Sequence, residues 1–240
     1  QGLALRSTAG ARLGRQVLQV GRTRPMLLVS AALLFLLALS AVLAPLLSPW
    51  DPLATDIPQR LSPPSALHPF GTDELGRDIL SRVLYGGQAS LYVGLVSVAV
   101  GTSIGAILGA ISAYFGGKVD LYLQRLMDVF LAFPALVLGL AIMTVLGGHV
   151  NNVVLAIALP FVPRTNRVVR SSVLSIKTFP YIEAAQAVGC GVARVLRVHI
   201  LPNAMAPYLV IATSLLGAAI LVEASLSFLG LGVPPPIPSW

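Results

Sequence analysis

Five stretches of the 240-residue chain are apolar for most of their length, at 26–47, 91–115, 119–146, 153–169 and 202–226. The segments between them are polar or rich in proline and glycine. A helix needs about 20 apolar residues to cross the hydrocarbon of a bilayer. The pattern therefore predicts an all-α, polytopic transmembrane bundle with five spans. The first two runs carry no charge. The third carries Asp120, Arg125 and Asp128, with Pro134 placed to kink it. The fourth is short, contains Pro160 and Pro163, and ends in Arg164, Arg167 and Arg170. The fifth is interrupted only by Glu223.

The polar segments divide the chain into a basic N-terminal segment (1–25), a first span (26–47), an external or interfacial loop (48–88) and a core region (89–240), with a polar insertion at 171–201. Loop 48–88 holds six prolines and five of the nine acids, which suits water and not hydrocarbon. Basic residues are unevenly spread. Thirteen of the 16 Lys and Arg fall on one side if Arg6, Arg12, Arg15, Arg22 and Arg24 lie inside with Lys118, Arg125, Arg164, Arg167, Arg170, Lys177, Arg194 and Arg197. Arg60, Arg77 and Arg82 remain for the other side, and this asymmetry predicts a cytoplasmic N-terminus.

Composition agrees: 56% of residues are hydrophobic and 10% charged, against about a quarter charged in soluble domains. The net charge of +7 comes from clusters beside apolar runs, with no nucleic-acid module, so nucleic acid is not an expected partner and lipid is. One cysteine, Cys190, excludes an intrachain disulfide and a multi-cysteine metal site. His68, His149 and His199 lie in separate segments, so no metal centre or catalytic cluster is expected. No phosphate-binding G-x-x-x-x-G-K-[ST] occurs, so any nucleotide hydrolysis belongs to another polypeptide.

Ser97, Gly101, Gly105 and Gly109 recur every four residues in the second run, which puts them on one helical face as a packing seam. Arg125 and Asp128, three apart, read as a structural pair at the inner boundary, with a substrate contact as the alternative. Glu223, about 30 Å along its span, falls near the outer boundary with slight burial, as gate or fold stabiliser. In the insertion, Pro180 opens a helix, Glu183 sits in its first turn, and Ala184, Ala185 and Ala187 form a small face. Gly189 and Gly191 end that helix, and 192–200 reads as a second short helix before Pro202 starts the fifth span. Neither helix is stable alone. Either the insertion folds back on its own span ends, or it docks on a partner through its small face and the basic edge of Arg194 and Arg197.

The insertion resembles the EAA loop of bacterial ABC importer permeases. That pattern is Glu-Ala-Ala, three residues, Gly, nine residues, Ile, any residue, Leu-Pro. Glu183, Ala184, Ala185, Gly189, Leu201 and Pro202 match it, and His199 replaces the isoleucine. His199 with Leu201, Pro202 and Asn203 is similar to the dipeptide, oligopeptide and nickel branch. HPFGTDELGRDILSRVLYG at 68–86, YFGGKVD at 114–120, RLMDVFLAFP at 125–134 and EASLSFLGLGVPPPIPSW at 223–240 also resemble that branch, nearest its C-type subunit. The resemblance implies a type I importer permease of MetI-like fold, with a sixth span expected after the five present. It implies a peptide cargo, with nickel, glutathione or haem as alternatives. It implies a second homologous permease, an extracytoplasmic solute-binding protein, and two cytoplasmic ATPases that bind ATP and Mg, with no cofactor in this chain. The loop at 171–201 would be their coupling element, with Glu183 meeting the ATPase surface. An ion-driven secondary transporter is the rival from another class, but it would want a path of intramembrane acids and often repeats, and neither is evident.

Overall fold

The computed structural model describes residues 25–240, and the expected N-terminal flank falls mostly outside them. Helix α1 (Pro25–Val42) is followed by one turn, α2 (Ala44–Leu47), and an extended segment with a short 3-10 turn at Ile57–Gln59. Helices α3 (Ile79–Phe115), α4 (Gly117–Leu131), α5 (Ala135–Leu146) and α6 (Val150–Lys177) follow. Then come α7 (Pro180–Ala187), a single turn α8 (Val192–Arg194), a π-wound turn (Val195–Ile200) and α9 (Leu201–Phe228). Apart from an isolated bridge between Thr72 and Asp78, the regular elements among the described residues are helical.

α3 begins 12 residues before the apolar run that predicted it. Residues 79–90 are too polar and glycine-rich to read as a span, but Asp78 starts the helix by accepting from Ser81 N at 2.8 Å. At 37 residues, α3 is about 55 Å long and overshoots the hydrocarbon.

The third apolar run is not one kinked helix. It is two, α4 and α5, whose axes differ by 87°. Pro134 is the cause: it cannot donate into a helix, it disfavours helical backbone at Phe133, and its own ψ of 135° turns the chain.

Register explains the packing of the bundle. Ser97 Oγ donates to Val154 O at 3.1 Å. One, two and three steps of four further on, Gly101, Gly105 and Gly109 press against the carbonyls of Ala158, Val162 and Asn166. Both series ascend, so α3 and α6 run parallel, and the bent pair α4–α5 makes the return between them. α9 runs antiparallel to α3: Gly94 lies against Ile220, and Ser90 against Glu223. Val93, Ile157, Phe161, Leu215 and Ala219 fill the common core.

Among the described residues, three stretches are long and apolar enough to cross a membrane, α1, α3 and the rod Val192–Phe228, and the bent pair makes a fourth if counted as one broken span. α6 is not among them, because its asparagines and arginines dilute its apolarity. Its 28 residues nevertheless reach about 42 Å beside α3, long enough to cross the same layer.

Candidate functional site

The insertion forms an elbow with two different faces. Gly189 takes a φ of +84°, and the turn it makes closes a Schellman cap, with Cys190 N donating to Ala185 O at 3.0 Å and Gly189 N to Gln186 O at 2.9 Å. Ile182 is buried with Val195 and Ile200 against Ala110 and Ala113 of α3 and Val173 and Ile176 of α6, and Ala185 is buried as well. Glu183, Ala184, Ala187 and Val188 face outward, Val188 with 82% of its surface exposed. The alanine face therefore splits: Ala185 belongs to the chain's own core, while Ala184 and Glu183 are open. Gly189 is exposed, as are Arg194, Leu201 and Pro202.

The second short helix is not separate from the fifth span. Val192–Phe228 is one rod. Pro202 does not break it, because the π-wound turn just before it already shifts the hydrogen-bond ladder where the missing N–H falls. His199 is half-buried beside Tyr181, ring centroids 6.2 Å apart. Asn203 Nδ2 donates to His199 O at 2.6 Å and to Tyr181 Oη at 3.3 Å, tying α7 to the rod.

A charged row runs between α4 and α6. Arg170 Nε donates to Asp120 at 2.6 Å, and its Nη2 takes the second oxygen, a two-point grip. Arg167 Nη2 donates to Asp128 at 2.7 Å. Arg125, expected to be the partner of Asp128, stands 3.9 Å from it and is largely exposed. The across-helix arginine holds Asp128, because its guanidinium reaches the carboxylate directly. The Asp120–Arg170 pair was missed in the sequence, although the signal is there: two aspartates eight apart facing arginines three apart. Gln124 Nε2 extends the row to Ser112 Oγ at 2.9 Å and Asn166 Oδ1 at 3.0 Å.

Glu223 corrects the expectation of slight burial: it is fully buried. Ser90 Oγ donates to its Oε2 at 3.1 Å and Ser227 Oγ to its Oε1 at 2.9 Å. The distance along the span suggested an outer position, but the chain beyond α9 folds back over it. Trp240 N donates to Ser90 Oγ at 3.0 Å, and its indole lies on Gly86 and Gly87 and donates to Val83 O at 2.8 Å.

The loop before α3 is a folded clamp. Trp50 stacks on His68 at 5.2 Å, and His68 Nδ1 meets Asp78 Oδ1 at 3.0 Å. Ser81 Oγ donates to Asp78 Oδ2 at 2.7 Å. A histidine, an aspartate and a serine thus lie together, but the serine bonds the aspartate and not the histidine, so no base activates it. Burial pushes the Asp78 carboxyl up, and the bonds from the Ser81 amide and hydroxyl and from His68 outweigh it, holding it below its ordinary value. Asp73 is likewise lowered: burial raises it, and the amides of Arg77 and Leu75 with the Arg77 guanidinium prevail.

Residues 101–240 match the model for binding-protein-dependent transport system inner membrane components. Residues 13–64 match the model for the N-terminal transmembrane domain of oligopeptide transport permease C. A putative peptide transport system permease protein of Brucella suis biovar 1 is 43% identical over 212 residues, 88% of this chain and 71% of that protein. A probable D,D-dipeptide transport system permease protein of Escherichia coli K12 is 40% identical over 227 residues, 95% and 76% respectively. A glutathione transport system permease protein of Pectobacterium atrosepticum is 42% identical over 177 residues, 74% and 59%.

Proposed function

Because the chain belongs to the family of binding-protein-dependent transport system inner membrane components, and is thus a multi-pass membrane permease, we propose that it carries peptides in an ATP-driven importer and that the elbow around Glu183 and Gly189 is its coupling element. The observation that carries this reading is the division of labour within α7. Ile182 binds it to the ends of α3 and α6 and Ala185 is buried, while Glu183, Ala184 and Val188 face outward. A push on the open face passes through the Tyr181–His199–Asn203 contacts into the rod Val192–Phe228. The elbow thus acts as a lever on α6 and α9 together.

In this reading two ATPases, holding ATP and Mg, take the exposed face of α7 with the edge of Arg194, His199, Leu201 and Pro202 from the cytoplasm. A second, similar permease completes the path in a bacterial inner membrane, with the N-terminus of this chain inside. A solute-binding protein delivers cargo from the other side. ATP binding favours one arrangement of the bundle and hydrolysis releases it, since only differential binding energy moves such an equilibrium. The peptide cargo is supported by relatives named for peptide, D,D-dipeptide and glutathione transport.

The experiment is reconstitution of the whole complex with its binding protein. Peptide-stimulated ATP hydrolysis and ATP-dependent uptake are expected together. Glu183→Lys should insert and assemble with the second permease yet hold the ATPases weakly and lose stimulated hydrolysis. Undiminished ATP-driven uptake by that variant refutes the role given to the elbow.

A further inference from the structure

We propose that Arg164 and the cavity at the break between α4 and α5 form a site for the terminal carboxylate of the transported peptide. The inference rests on the peptide reading above and names where that cargo is held.

Arg164, Arg167 and Arg170 stand three apart on α6. Arg170 meets Asp120, and Arg167 meets Asp128, so α4 and α6 run antiparallel along this row. One step further along α6, Arg164 comes level with no acid among the described residues. It comes level with the break at residues 132–134, where a cavity of about 280 Å³ opens. Phe130, Phe133, Pro134, Pro160 and Arg164 are among its lining residues. Arg164 is exposed and has no ion pair or side-chain hydrogen bond among the described residues. Two of three arginines in the row are neutralised by the chain itself, and the third faces a cavity.

A guanidinium does not lose its charge, so one left unpaired beside a cavity on a helix of the bundle is a candidate site for an anion. Its fork matches a carboxylate or a phosphate at two points. The other lining side chains are apolar, two of them aromatic, suited to the body of a ligand whose charge is at one end. Ligand pockets start at about 300 Å³, so this cavity holds one end of a peptide and leaves the rest in the path. Ala135 opens α5 at the same place, and a helix start also favours a negative group. A lipid headgroup offers the same phosphate chemistry, and an acid on the second permease offers another carboxylate.

The test uses the assembled complex in phosphatidylcholine nanodiscs, without the binding protein, titrated with alanyl-phenylalanine and with its C-terminal amide. The free acid should bind about tenfold tighter than the amide, as a charge-assisted contact implies. Arg164→Gln should remove that preference and leave amide binding unchanged, and Arg164→Lys should restore part of it. Equal binding of acid and amide by the unaltered complex, or a preference that survives Arg164→Gln, overturns the proposal. So does acid binding that weakens when phosphatidylglycerol is added, if Arg164→Gln abolishes that sensitivity; the arginine then belongs to lipid. Loss of the second permease from the Arg164→Gln complex on size exclusion assigns it to the subunit contact and also overturns the proposal. Uptake of the same peptide by the unaltered and Arg164→Gln complexes, each with its binding protein, separates the two readings. No uptake sinks the peptide assignment, whereas uptake without dependence on Arg164 sinks only this site.

Discussion

The backbone of Gly105 lies so close to α6 that a methyl group on it would stand 2.4 Å from the carbonyl oxygen of Val162. The obstacle is backbone and cannot swing aside. The same holds at Gly101 and Gly109, so the seam between the two parallel helices is set by three absent side chains.

Gly105→Ala should therefore destabilise the protein by about 1–3 kcal/mol, the usual cost of overpacking. Gly217→Ala is the control: nothing lies within 4 Å of its added carbon, and alanine favours a helix. Thermal melting of the purified permease should show a lowered midpoint for the first and none for the second. Equal midpoints would mean that the two helices can move apart freely.

Glu223 is a buried carboxyl group held by two serines from different elements and covered by the segment that follows α9. Glu223→Ala leaves the hydroxyls of Ser90 and Ser227 without their acceptor, which costs about 1–3 kcal/mol per unsatisfied group. Glu223→Gln keeps the volume and one acceptor and should cost less. The ranking of the two melting midpoints checks this.

The two-point Arg170–Asp120 contact should show a larger coupling energy than the Arg125–Asp128 contact. The first is only partly exposed, while Arg125 is largely in the open and 3.9 Å away. Exposed pairs contribute at most about 1 kcal/mol, and long ones less. Double-mutant cycles read by thermal melting would decide, and Arg125→Ala alone should be close to neutral.

Stability of the clamp before α3 should depend on acid pH. The Asp78 carboxyl is lowered in the folded protein, so the unfolded state binds its proton first as pH falls. Its contribution is present above the ordinary carboxylate range, about pH 4, and disappears as pH drops through the lower folded value. Amide exchange at the start of α3 should accelerate in that window. Asp78→Asn should flatten this dependence while also weakening the cap on α3, so its exchange at neutral pH should already be faster than that of the unaltered protein.

The row 97–101–105–109 was legible because helical periodicity places spacing-four residues on one face whatever the partner. The elbow was legible because Gly189 and Pro180 carry their backbone preferences with them. Glu223 was misjudged because distance along a span says nothing about a following segment that returns over it. The nearer partner of Asp128 was not legible because only local spacing is visible in a sequence: it showed Arg125, three residues away, but not Arg167, which is 39 residues away.

By itself the sequence determined where the apolar helices lie, which face of α3 is smooth, and where the chain must turn, since these follow from side-chain chemistry within a few residues. Only the tertiary structure decided that α3 and α6 run parallel, that the third apolar run turns through 87° at Pro134, and that Arg164 is left without an acid among the described residues. Those outcomes depend on which surfaces meet across many residues, and contact between distant parts of the chain is settled by packing, not by local preference.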